Sequence, residues 1–324
     1  MNSLTRYFNQ NRKMIWIIIF VVIFVIIVIQ LLNSFYKNSN KEEVGNSTSS
    51  NVTQKDYTNE SQAMVQGSIG SKEKQDEFGA LIDEFLTYCV NGQVSQAYSL
   101  LSNDCKKILY PTEKSFELNY YKSKFDTKKT YDFQLWSAID KTYVYQVRIY
   151  GDMLSSGMIN NEDYIQDYFS VIQDDNVYRI NVSGYVKSTT YGYNGDETER
   201  YVGENNIGLM LKSIDSYMDY EIYHFMVNNY SDKNIFLNPL ESYETLYLVD
   251  DKDNHINAML TEITEDDFLV NANESKNIDI KFNRAYTTTT NVTKVCFERI
   301  IRDYDSFLTA KETYNDVFGI SIEL

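Results

Sequence analysis

Histidine is nearly absent from this chain, with only His224 and His255 among 324 residues. They fall in different segments. Neither has a nearby carboxylate or cysteine at the spacing of a zinc set or of a nucleophile triad. Cysteine is as scarce: Cys89, Cys105 and Cys296 make an odd count. Cys89 and Cys105 lie near opposite ends of a helical hairpin arm, too far apart to bridge, so no disulfide framework is expected and both read as small packing residues. Glycine-rich phosphate loops and a Gly-x-Ser-x-Gly elbow are missing too. Basic charge is short: 30 Lys and Arg face 46 Asp and Glu, a net −16. Residues 1–37 hold four bases and no acid, so the rest of the chain is more acidic still. That excludes a phosphate-binding role on nucleic acid and close contact with anionic lipid. Basic partners, cations or simple solubility fit better.

What is present starts with one long apolar run. Residues 14–29 contain no polar side chain, and Gln30 is followed by Leu31 and Leu32. At about 1.5 Å per residue the run spans roughly 28 Å as a helix, close to a bilayer's hydrocarbon thickness. Arg6, Arg12 and Lys13 precede it without an acid, which orients the N-terminus to the cytoplasm. The exit lacks a small-residue cleavage site. The expected arrangement is a cytoplasmic stub at 1–13, a single transmembrane helix at 14–35 contacting the membrane through 14–32, and a disordered tether at 36–72. The tether is rich in Ser, Thr, Asn, Gln and Lys and poor in apolar residues.

The first folded part is expected over 73–188. Phe78, Leu81, Ile82, Phe85 and Cys89 share one helical face, and Asn91-Gly92 stops that helix. Val94, Ala97, Tyr98 and Leu101 make a second face. Thr112 caps a third helix carrying Phe116 and Tyr120. The period then falls to two, in Tyr131–Leu135, Tyr143–Ile149, Tyr168–Ile172 and Tyr178–Val182, with Asp174-Asp175-Asn176 as a hairpin turn. Helices followed by an antiparallel meander predict an α+β layer. Residues 189–204, rich in Gly, Tyr, Thr and acids, read as a linker. Over 205–324, alternation recurs at Ile207–Leu211, Tyr223–Val227, Leu246–Leu248, Ile278–Phe282 and Val295–Phe297, separated by Asx-rich turns. This predicts an all-β sandwich.

The helical opening Phe-x-x-Leu-Ile-x-x-Phe at 78–85, the Asn-Gly-Gln turn and Ala97 to Ser102 resemble the nuclear transport factor two-like superfamily. That resemblance implies a cone-shaped domain, with a curved sheet wrapped on helices around a pocket. The later strands look immunoglobulin-like in architecture, without the Cys-Trp-Cys signature. Stub, span, tether and cone resemble the bitopic assembly proteins of bacterial conjugation and type IV secretion, which implies self-association and contacts with other envelope proteins. No Ser-x-x-Lys of a penicillin-binding domain is present.

These readings make the chain a non-enzymatic, single-pass cell-membrane protein with its folded part outside the cytoplasm and no cofactor. It acts as an envelope scaffold, with a ligand-binding or sensor module using the cone pocket as the alternative. The excess of tyrosine suits surfaces that bind proteins or glycans. Tyr98 and Tyr145, with Asp83, are candidates to line the pocket, and Tyr217, Tyr220 and Tyr223 to form an interaction surface. Asp250, Asp251, Asp253 and Asn254 offer oxygen ligands, but without the glycine and glutamate of an EF-hand loop they read as a turn. His224, between Tyr223 and Phe225, reads as a side chain on the less buried face of a strand.

Overall fold

A computed structural model describes residues 72–324 except 140–141, 152–163, 193–196, 238–244 and 262. The expected stub, membrane span and nearly all of the expected tether lie outside the described residues. Among those described, no helix is long and apolar enough to cross a membrane.

Helix α1 (Lys72–Val90) buries Phe78, Ile82, Phe85, Leu86 and Cys89, the face read from the periodicity. It ends where expected. Gly92 takes φ +71°, and its N–H and that of Gln93 bond back to Cys89 and Tyr88. A left-handed glycine closes the last turn at little steric cost. Two short helices follow, α2 (Val94–Leu100) and α3 (Asn103–Ile108). The buried Ser102 hydroxyl caps α3 by accepting from Cys105 N–H at 3.0 Å and donates to Asn181. Thr112 and Ser115 form a reciprocal capping box on α4 (Glu113–Phe116), which runs through a π turn (Glu117–Tyr121) into α5 (Lys122–Lys124).

Strands β1 (Lys129–Ile139), β2 (Thr142–Gly151), β3 (Tyr164–Asp174) and β4 (Val177–Asn181) form a four-stranded antiparallel meander in chain order. Asp175 and Asn176, with φ of 49° and 64°, turn β3 into β4. Two positive φ values match the right-handed twist of the hairpin, and Asp and Asn tolerate them. The helices cover one face of this sheet. The interior between them is filled by aromatic rings: Phe85 meets Phe169 at 5.4 Å, and Phe116 stacks on Tyr120 at 5.2 Å. At residues 142–147 of β2 every residue is buried, so both faces are covered there. Val144 packs with Val186, Met218 and Tyr286 from later in the chain.

The remaining strands are β5 (Tyr185–Thr190), β6 (Arg200–Glu204), β7 (Ile207–Tyr217), β8 (Glu221–Asn229), β9 (Ile235–Phe236), β10 (Leu246–Asp250), β11 (His255–Met259), β12 (Leu269–Val270), β13 (Ser275–Phe282), β14 (Val292–Ile301) and β15 (Val317–Glu323). Two short helices, α6 (Glu265–Phe268) and α7 (Tyr304–Thr309), interrupt them. All eleven strands belong to one sheet ordered β12-β9-β14-β10-β11-β13-β8-β7-β5, with β15 on β14 and β6 on β7. The corner is β11: its first residues pair with β10 and its last two, Ala258 and Met259, pair with β13. The sheet thereby folds over, and Phe225 of β8 meets Phe297 of β14 edge to face at 5.4 Å.

These observations correct the expected fold class. The described chain is mostly antiparallel β-sheet. Its residues do not show the expected α+β cone followed by a separate all-β sandwich, and the expected anchor lies outside them. Helices α1–α5 pack aromatic side chains against a small meander where a cone pocket was expected. The later strands form one continuous folded sheet. The expected linker over 189–204 contributes β6, and β5 enters the large sheet ahead of it. Tyr185 and Tyr217 stand on strands of the large sheet yet pack in the core under the helices.

Candidate functional site

The five tyrosines singled out from the sequence do not converge on one site. Tyr98, on α2, donates to the Tyr110 carbonyl at 3.0 Å and packs on Phe116. Tyr145, on β2, is buried in the same core. Its hydroxyl has no hydrogen-bond partner among the described residues, and burial raises its pKa. Asp83 accepts from Tyr131 at 2.8 Å, tying α1 to β1. Tyr217 and Tyr220 stack at 4.5 Å, and the Lys281 ammonium lies 3.7 Å from the centre of the Tyr220 ring. Tyr223 points into the core of the large sheet and donates to Glu221 at 3.1 Å. Glu221 also holds Arg284 at 2.6 Å in a largely buried pair.

The Asp250 segment is a turn. The Asp250 carboxylate accepts the N–H groups of Lys252 and Asn254, both at 2.9 Å, and Asp253 takes φ 60°. Bonds from Asn254 first, then from the backbone, hold its carboxyl well below the usual range. His255 stacks on Tyr247 at 4.1 Å. Among the described residues no group of His, Cys, Asp and Glu is placed to hold a metal. The three cysteines are free and buried.

Strand register assembles something the linear sequence concealed. On the outer face of the large sheet, cross-strand partners run Tyr201–Met210–Met226–Asn277 across β6, β7, β8 and β13. One neighbouring row is Gly203–Gly208–Asn228–Ser275, and on the other side come Ser213–His224–Asp279 and Asp215–Ile222–Lys281. Cross-strand partners in an antiparallel sheet share a face, so these residues form one surface.

His224 lies within that surface. Its Nδ1 bonds Asp279 at 2.7 Å and its Nε2 bonds Asp215 at 2.9 Å. The hydrogen bonds to Asp215 and then Asp279 raise its pKa to about 9. Both ring nitrogens are therefore occupied and the ring is an imidazolium at neutral pH. It has no lone pair for a substrate or a metal, which argues against general-base chemistry here. The clamp fastens β7, β8 and β13 together. The other Asp215 oxygen is buried without a partner among the described residues.

Beside the clamp, most of one edge of β13 has no strand partner among the described residues. On its other side β8 pairs with all eight residues from Ser275 to Phe282, but β11 reaches only Lys281 and Phe282. Asn229 N–H donates to Glu274 O at 2.8 Å, so 276, 278 and 280 exchange bonds with β8. The amide groups of Ser275, Asn277 and Asp279 then face the other way, and Asn277 and Asp279 border a groove of about 400 Å³. Ile278, Ile222, Met259 and Ile263 give that groove an apolar lining, with Asp267 and Asp279 at its sides. Lys276 spans it to bond the carbonyls of Asp266 and Leu269 at α6.

Sequence reasoning missed the clamp and the edge because both are products of register. It also missed β6, although the Asn205-Asn206 pair between alternating residues was a readable hairpin signal: the two take φ 53° and 64°. No family model, curated protein or solved structure matches the chain.

Proposed function

We propose that this chain is a non-enzymatic cell-envelope protein that acts as a protein-interaction scaffold, receiving an extended segment of a partner along the open edge of β13. One observation carries the reading: the outward amide groups of Ser275, Asn277 and Asp279 have no strand partner among the described residues, and the last two border a groove lined in part by Ile222, Met259, Ile263 and Ile278. An added strand satisfies such groups while alternate side chains enter the groove. Met210, Met226 and Met259 line the adjoining face, and methionine adapts to varied partners. The envelope setting and cell-membrane location rest on the sequence, through the apolar run at 14–32 and its basic flank.

Photocrosslinking in cells tests the reading. A benzophenone residue at Asn277 is expected to trap a discrete partner or a second copy of the chain. Asn277→Pro removes an outward N–H and leaves the β8 ladder whole, so trapping from position 279 should disappear with little change in stability. Trapping that survives this substitution overturns the reading, as does the absence of any crosslinked species.

A further inference from the structure

We propose that the end of the β6–β7 hairpin is a saccharide-binding platform built on Tyr201 and Tyr230. The two rings are conspicuously solvent-facing, at 47% and 62% exposed. Tyr201 is held in place by what lies beneath it. Gly203 and Gly208 are direct cross-strand partners. A Cβ built on either would stand 2.9 or 2.7 Å from the Tyr201 hydroxyl, closer than such atoms approach. The ring therefore rests over a floor of two glycines and turns its other face to solvent. Any side chain at either position would lift it from this seat.

An exposed aromatic ring with one free face presents an electron-rich surface to the C–H groups on the flat side of a pyranose. Hydroxyl groups at the rim of a sugar need donors and acceptors at fixed positions. The hairpin tip supplies them in Glu204, Asn205 and Asn206, all exposed. Tyr230 is tied to the same tip, its N–H bonding the Asn206 carbonyl at 2.8 Å. A protein-binding hot spot would need a packed apolar surround to exclude water. On the glycine side of Tyr201 the row Gly203–Gly208–Asn228–Ser275 has no apolar side chain to provide it. Tyr201 covering a glycine pair accounts for one ring; it leaves Tyr230 beside the same polar tip unexplained.

The test uses the full-length chain with insoluble peptidoglycan, chitotetraose, cellotetraose and maltotetraose as probes, in co-sedimentation and calorimetry. Binding to at least one is expected. Tyr201→Ala and Tyr230→Ala should each weaken it by about tenfold, the scale of one aromatic contact, while Tyr201→Phe keeps it. Gly208→Ala should weaken it several-fold by displacing the ring. Asn277→Pro, three strands away on β13, should leave it unchanged. Failure to bind any of the four probes overturns the proposal. So does unchanged affinity in both tyrosine-to-alanine variants or in Gly208→Ala.

Discussion

The helix-covered meander and the large sheet handle their surfaces in opposite ways. In the meander β2 is buried on both faces over 142–147, with helices on one side and Val186, Met218 and Tyr286 on the other. Its polar interior groups are mostly tied down: Asp167 takes Lys124 at 2.8 Å and Tyr120 at 3.1 Å. The large sheet buries its inner face as completely, yet β7, β8 and β13 leave an outer face and an edge uncovered by described residues. Aromatic packing fills the interior of the first region. Register in the second assembles a surface and the groove beside β13. Interaction chemistry is therefore expected on the large sheet, with the meander as its support.

Substitutions can break this contrast. The largest effect is expected in the sealed region: Phe116→Ala should cost about 3–5 kcal/mol, read from urea unfolding, because a fully buried ring leaves a cavity among Phe85, Tyr98, Tyr110 and Tyr120. Next comes the Arg284–Glu221 pair. Glu221→Gln should cost about 3 kcal/mol by leaving a largely buried guanidinium unpaired, and adding Arg284→Met should recover part of the loss.

The clamp comes third. The folded pKa of His224, about 9, lies above its ordinary value of 6.5. Its contribution is thus fully present below pH 6.5 and declines as pH rises from there through about 9. A loss of about 1–3 kcal/mol across that window is expected from pH-dependent unfolding, and His224→Ala should flatten it. On the outer face Met226→Ala should change stability by less than about 0.5 kcal/mol while lowering the crosslinking yield at 277. A large stability loss from Met226→Ala, or a small one from Phe116→Ala, would erase the distinction between the regions.

Local features were the legible ones. The face Phe78–Ile82–Phe85–Cys89, the stop at Gly92, the cap at Thr112 and the Asp174–Asn176 turn depend on neighbours in sequence, and they stand where the sequence placed them. So do the inward residues of the later strands, from Ile207 to Phe297, which make the second core. Larger relations were not legible. The meander pattern said nothing of how Phe85, Phe116, Tyr120 and Phe169 would pack together in the interior, where a pocket was expected. Glycine and tyrosine around 189–204 imitate a linker's composition, which hid β6. His224 acquires its meaning only when Asp215 and Asp279 come to flank it, and pairing across 9 and 55 residues has no local signature.

Tyr185 and Tyr217 leave their own sheet to pack beneath the helices, 5.5 Å from each other, and β5 begins four residues after β4 ends. A cut at the boundary suggested by composition, after residue 188, would split β5 and remove Tyr217 from the core it completes. The helical portion is thus no interchangeable cassette. Any recombination that kept it would have to carry β7 along, so inheritance of the two regions is coupled by a pair of aromatic rings.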